Sequence, residues 1–78
     1  MEAKIVFNYS KLKGRIKEKV GTQSSFAKGM NMSDVSISDK LNNKKQWSQN
    51  EMIAASEVLD FSISEIPVYF FTQEIKEA

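Results

Sequence analysis

Cysteine and histidine are both missing from this 78-residue sequence. Without cysteine the chain forms neither a disulfide nor a thiolate metal site, and without histidine it lacks the commonest metal ligand and the commonest general base. The remaining ionisable residues are ordinary surface types with no convergent pattern. We therefore expect no metal, no cofactor, no small-molecule ligand and no enzymatic activity.

Long apolar runs are missing as well. No stretch approaches the roughly 20 residues that cross a bilayer, and the first residues lack the basic region and long apolar stretch of a signal peptide. A chain of this length has room for one small core and for no second, regulatory domain. We expect a single domain over residues 1–78, located in the cytoplasm and away from membranes.

Charge is present in nearly equal amounts of both signs, but the two signs are separated along the chain. Up to Lys45 there are ten basic and four acidic residues, a net charge of +6, whereas Gln46 onward carries −5. Such a bipolar protein can present one face to a polyanion and keep the other face away from it. Solvated helix faces would give the same pattern without any ligand.

Two short helix patterns lie next to each other, separated by a gap that only a sharp turn can fill. The first covers about 22–30 and begins with Thr22, whose hydroxyl can cap the helix. Asn31 suits the turn, because asparagine readily adopts the left-handed conformation that ends a helix. The second pattern covers about 33–42 and is capped by Ser33. The arrangement predicts a helix-turn-helix.

The second helix of this motif has an unusual outward face. Its inward stripe is Ile37 and Leu41, so a 3.6-residue repeat turns a mostly short and polar set outward. That set is Val35, Ser36, Asp39, Asn42 and Asn43. An ordinary solvated helix more often carries glutamate, lysine and arginine there, so the face suits close approach to a shaped surface.

Three further helices are predicted around the motif. The first carries an inward apolar stripe at Tyr9, Leu12, Ile16 and Val20. A fourth and a short fifth helix begin at capping boxes, which are Ser48 with Glu51 and Ser62 with Glu65. Trp47 is expected to pack on Met52 as part of the core, and Pro67 is expected to end the fifth helix.

The two ends of the chain are β-prone. Residues 4–7 (KIVF) are predicted as a short strand, and residues 68–71 (VYFF) are too apolar to be left in water. One solution pairs the two segments as a ribbon over the helices, and the other buries 68–71 against a second copy of the protein. Residues 72–78 are expected to fray.

The order of residue types within the motif is also informative. The relevant residues are Thr22-Gln23, Phe26-Ala27, Met30-Asn31-Met32-Ser33 and Ile37. This order resembles the lambda-repressor-like helix-turn-helix family, which has Thr-Gln, Leu-Ala, Leu-Gly-Ile-Ser and Ile or Val there. The following stretch, SDKLNNKKQWSQNEM, is similar to small repressors from phages of Gram-positive bacteria. In two departures, Asn31 replaces the turn glycine, and Leu41 carries an apolar position that many members have at the place of Lys40.

The resemblance implies an all-α, compact five-helix lambda-repressor-like bundle. It implies a sequence-specific regulator of the phage Cro or repressor type that binds double-stranded DNA as a homodimer, at the nucleoid of a bacterial host. The second motif helix then enters the major groove and reads bases through Val35, Ser36 and Asp39, with Ser33, Asp34, Lys40 and Asn43 beside them. The phosphate contacts fall to Gln23, Lys44 and Lys45.

An alternative use of the same fold is a protein-interaction module, such as an antitoxin or an antirepressor. The two acidic residues of the second motif helix favour it, because the phosphates of DNA repel carboxylates. The dimer expectation rests on the gain in affinity when two copies read two half-sites, with 68–71 as the best apolar candidate for the interface.

Overall fold

Over residues 3–77, the computed structural model consists of five α-helices and one two-stranded antiparallel sheet; side chains are described over 6–74. The elements in chain order are β1 (Ala3–Phe7), α1 (Ser10–Lys19), α2 (Gln23–Gly29), α3 (Asp34–Leu41), α4 (Gln49–Val58), α5 (Ile66–Phe70) and β2 (Gln73–Glu77), with a 3₁₀ turn at Ile63–Glu65. The five expected helices and a ribbon formed by the two chain ends are therefore confirmed. Within the described residues, no helix is long and apolar enough to span a membrane.

The two motif helices begin at the side chains that were expected to cap them. The hydroxyl of Thr22 accepts a hydrogen bond from the Ser25 N–H at 3.0 Å, and the hydroxyl of Ser33 accepts one from the Ser36 N–H at 3.1 Å. Asn31 joins the helices with a φ of 58°, in the left-handed region. The two helices and the turn between them thus follow from local interactions.

The two predicted capping boxes are present, one at the start of α4 and the other at the 3₁₀ turn that precedes α5. At the start of α4, the Ser48 N–H donates to Glu51 Oε1 at 2.8 Å and the Glu51 N–H donates to Ser48 Oγ at 3.1 Å. Ser62 and Glu65 repeat this exchange at the 3₁₀ turn. Each box satisfies N–H groups that a helix start would otherwise leave without a partner.

The core lies between the helices and is rich in aromatic rings. Its buried apolar residues are Tyr9, Leu12, Ile16, Phe26, Ala27, Ile37, Leu41, Trp47, Ala55, Leu59, Phe61, Ile66 and Phe70. Trp47 is central, with its ring centroid 5.1 Å from Phe70 and 6.3 Å from Phe26. The expectation that Trp47 belongs to the core is confirmed.

The ribbon differs from the predicted one in its second strand. β1 pairs with β2 in a register that places Ile5 opposite Ile75, so the partner of KIVF is 73–77 and not 68–71. The Asn8 N–H extends the pairing by donating to the Thr72 carbonyl at 2.7 Å. The expectation that 72–78 frays is therefore wrong for 73–77, because the strand hydrogen bonds hold this segment; Ala78 lies outside the described residues.

Residues 68–70 belong to α5 and Phe71 follows its last residue, so the expectation that Pro67 ends the fifth helix is wrong. Proline is accepted in the first turn of α5 because an N–H there has no partner within the helix. Ile66 and Phe70, four residues apart, then point to the core, and Phe70 is 1% exposed. Only Val68 and Phe71 of VYFF are exposed, so the segment proposed as a dimer interface contributes in large part to the core of its own chain.

Candidate functional site

The outer side of α3 is the surface that the sequence predicts to contact a partner. Ile37 and Leu41 are buried beneath it, whereas Val35 is 69% exposed. The start of α3 is fixed to α2 by a hydrogen bond from the Ser24 hydroxyl to Asp34 Oδ2 at 3.2 Å. The helix α3 therefore lies on the surface, joined to α2 by a short turn, as expected for the second helix of the motif.

The residues predicted to read bases do not all lie on this surface. Ser33, Asp34 and Val35 are exposed, and Ser36 and Asp39 are half-buried. The hydroxyl of Ser33 also donates to that of Ser36 at 3.0 Å, next to its capping bond. Five of the predicted residues therefore surround the start and middle of α3, and Lys40 and Asn43 have other roles.

Lys40 is buried, which contradicts its place in the predicted reading set. Its ammonium donates to the Gln46 carbonyl at 2.8 Å and lies 3.1 Å from Glu51 Oε1 and 6.0 Å from the centre of the Trp47 ring. Its aliphatic stem occupies the position at which many members of the lambda-repressor-like family carry an apolar residue. The only basic side chain of α3 is therefore paired inside the protein.

The pKa of Glu51 depends on this pair. Partial burial alone would raise it, but the Ser48 N–H and the Lys40 ammonium outweigh burial, so the pKa lies below its ordinary value of 4.5. A carboxylate with a depressed folded-state pKa adds stability above its unfolded-state pKa and loses it as the pH falls.

Replacing Glu51 with Gln should therefore lower the free energy of unfolding by about 1 kcal/mol near neutral pH. The difference from the unchanged chain should shrink as the pH falls below 4.5, where the carboxylate becomes protonated. Urea unfolding across this pH range measures it, with the exposed Glu57→Gln as the control. A difference that stays constant with pH would show that the charge of Glu51 is not involved.

Asn43 is held by a strand and is not free to read bases. Its side-chain oxygen accepts from the Phe7 N–H at 2.9 Å, and its amide donates to the Phe7 carbonyl at 2.9 Å. The side chain therefore acts like one residue of a neighbouring strand and ties the end of α3 to β1. A φ of 63° places Asn43 in the left-handed region that asparagine tolerates.

Replacing Asn43 with Ala should cost about 1 to 2 kcal/mol, because two hydrogen bonds are lost. Asn43→Gly should cost somewhat less, since glycine keeps the backbone conformation without strain. Hydrogen exchange at the Phe7 amide should become faster in both variants and stay unchanged in the control Asn42→Ala. An unchanged exchange rate at Phe7 in Asn43→Ala would rule out this tie.

The residues predicted to contact phosphates are exposed, but they are not concentrated on α3. Gln23 lies at the start of α2, and Lys44 and Lys45 follow the end of α3. Lys45 Nζ lies 3.8 Å from Asp39 Oδ2, so one of the two lysines forms an ion pair with an acidic residue of the predicted base-reading set. Of the charged side chains of α3 itself, Asp34 is exposed, Asp39 is half-buried and Lys40 is buried.

A cleft beside the ribbon was not predicted. It has a volume of about 360 Å³. It is lined by Val6, Phe7, Tyr9, Asn43, Lys45, Gln46, Trp47, Met52, Phe70 and Phe71. These residues come from both chain ends and the middle, so no local pattern in the sequence could have grouped them.

Two polar groups of this aromatic cleft are unusual. Burial raises the pKa of the Tyr9 phenol above its ordinary value of 10.0, and the neighbouring Trp47 side chain lowers it in part. Trp47 Nε1 is buried and has no acceptor in hydrogen-bond geometry among the described residues.

Comparison with known proteins defines the class of this chain. Residues 5–73 match the family described as "Protein of unknown function (DUF739)", so the chain belongs to that family. The fold is similar to the solution structure of the modulator of repression (MOR) of the temperate bacteriophage TP901-1 from Lactococcus lactis. The two chains are 45% identical, with a TM-score of 0.76, over 83% of this chain and 88% of that chain. No curated protein matches the chain.

These findings correct the principal functional expectation. The chain was expected to be a sequence-specific DNA-binding repressor of the Cro type, but its similar solved structure is that of a modulator of repression. The charges of α3 agree with this correction, because Lys40 is buried and paired with Glu51 while Asp34 is exposed. The expectation of a small phage regulatory protein is confirmed, whereas the expectation of a DNA-binding repressor is wrong.

Proposed function

We propose that this protein modulates repression by binding a phage repressor directly, as an antirepressor does. The observation that carries the proposal is the 45% identity with the modulator of repression of bacteriophage TP901-1. The identity extends over most of both chains and accompanies a common fold, so the likeness is not confined to one motif.

The charges of α3 support a protein partner. A protein that binds DNA neutralises phosphates with lysine and arginine, and these contacts supply most of the non-specific affinity. Lys40 has its ammonium between Gln46 and Glu51, whereas Asp34 remains exposed at the start of the helix. A carboxylate in that position weakens binding to a polyanion and suits a partner that supplies donors.

We further propose that α2 and α3 are a lambda-repressor-like helix-turn-helix used for protein contact. The caps at Thr22 and Ser33 support this view, and Asn31 adopts the left-handed conformation that the glycine of the motif turn would take. In this proposal the residues on the outer side of α3, including Val35 and the half-buried Asp39, touch a protein and not a base. Homodimer formation is not needed, because no two-fold operator has to be read.

Isothermal titration and gel-shift measurements test the proposal. Two purified repressors serve as probes: that of bacteriophage TP901-1 and the one encoded nearest to the gene of this chain. We expect a complex with at least one repressor, and no shift of operator DNA by this chain alone at concentrations that saturate the repressor. Failure to bind either repressor, or specific binding of the operator by this chain alone, would overturn the proposal.

A further inference from the structure

One exposed apolar side chain lies in the first turn of α3, on its outer side. Val35 is 69% exposed, more than any other large apolar side chain among the described residues, including Ile63 at 62%. Valine has a lower helix propensity than alanine. Its exposed methyl groups also remain in water, so they add no hydrophobic stabilisation to the fold. Neither helix formation nor the core of this chain therefore accounts for Val35.

The neighbours of Val35 allow another protein surface to approach closely. Asp39 and Asn42 follow it by four and seven residues and share its face, and Ser38 lies beside them. The Asn42 amide donates to Ser38 Oγ at 3.3 Å, so these two polar groups are partly satisfied within the face. We call Val35, Ser38, Asp39 and Asn42 the outer α3 face.

Charge limits the kind of partner. Asp39 is the charged member of the outer α3 face, and its nearest cation, Lys45, is 3.8 Å away with a side chain that is 58% exposed. An ion pair of that length and exposure contributes little and can be exchanged for a better one. Arginine or lysine on a partner can pair with Asp39 at shorter range and in a drier environment.

We propose that the outer α3 face is the repressor-binding surface, with Val35 as the apolar anchor and Asp39 as the charged contact. The occupant is a surface of the repressor with arginine or lysine beside an apolar recess that receives the valine. This inference rests on the proposed function and adds to it the residues that make the contact. The outer α3 face has the position of a recognition helix, but the negative charge of Asp39 is opposite to the positive charge that binding to phosphates needs.

The test compares matched variants in a binding titration against the same two repressors. Val35→Ala and Asp39→Asn should each weaken the complex by about tenfold, as truncation of a central contact commonly does. The loss in Asp39→Asn should diminish at about 0.5 M salt, where ion pairs are screened. Val68→Ala, which removes an exposed valine from α5, and Glu57→Gln, which removes an exposed acid from α4, should change the affinity by less than about twofold.

Urea unfolding of each variant separates a lost contact from a lost fold. Alanine favours a helix more than valine does, so Val35→Ala should be at least as stable as the unchanged chain. Amide chemical shifts on adding repressor should change most along α3. Unchanged affinity in Val35→Ala and Asp39→Asn, or shifts concentrated at the aromatic cleft, would overturn this surface while leaving the proposed function intact. No complex with the unchanged chain would overturn both.

Discussion

Replacing Phe26 with Ala is expected to lower the free energy of unfolding by about 3 to 5 kcal/mol. The side chain is fully buried between the motif helices and the core, and its ring centroid lies 6.3 Å from that of Trp47. The substitution removes apolar surface and also leaves a cavity that the surrounding helices fill only in part. Small domains have total stabilities of roughly 5 to 15 kcal/mol, so this loss is a large fraction of the whole.

The urea midpoint measures this effect, and Lys28→Ala on the exposed side of α2 is the control. The variant Phe26→Leu keeps most of the volume and should recover a large part of the loss. A midpoint for Phe26→Ala no lower than that of Lys28→Ala would contradict the orientation of α2. It would also remove the basis for placing α3 outward.

Replacing Phe70 with Ala is expected to cost a similar amount, about 3 to 5 kcal/mol. Phe70 is 1% exposed, and its ring meets that of Trp47 edge-on at 5.1 Å. Loss of this ring removes a favourable aromatic pair in addition to buried area. Because Phe70 also lines the aromatic cleft, its removal opens the cleft toward Trp47.

The adjacent residue gives a closely matched control. Phe71 is 47% exposed, so Phe71→Ala removes the same group from the same helix end at a far smaller cost. Trp47 is the sole tryptophan of the chain, and its fluorescence should shift to longer wavelength in Phe70→Ala and remain unchanged in Phe71→Ala. Equal losses of stability in the two variants would mean that α5 is rotated and that Phe70 is available to a partner.

The charges at the end of α3 differ from those expected of a helix that reads DNA. Val35, Ile37 and Leu41 have the inward and outward positions expected for a recognition helix. Lys40, however, is turned inward and neutralised by Glu51, so α3 loses the one cation that a DNA contact would use. Motif spacing therefore predicts the backbone of α2 and α3 well, whereas the position of each charge depends on packing that the spacing does not show.

The sequence by itself determined the local structure. The helix starts at Thr22, Ser33 and Ser48 follow from hydroxyl groups that each accept a hydrogen bond from the N–H three residues ahead. The turn at Asn31 follows from the backbone preference of one residue. Such interactions join neighbours in the chain, so pattern and residue type are enough to predict them.

Only the tertiary structure decided how distant segments combine. Asn43 ties itself to Phe7, which is 36 residues away, and Ile5 pairs with Ile75, so neither the ribbon register nor the cleft was visible locally. An apolar segment such as 68–71 satisfies strand and helix patterns equally, and the fit of Phe70 against Trp47 selected the helix. Packing between remote residues adds energies of a size that overrides weak local propensities, so segments with ambiguous patterns take their structure from the rest of the fold.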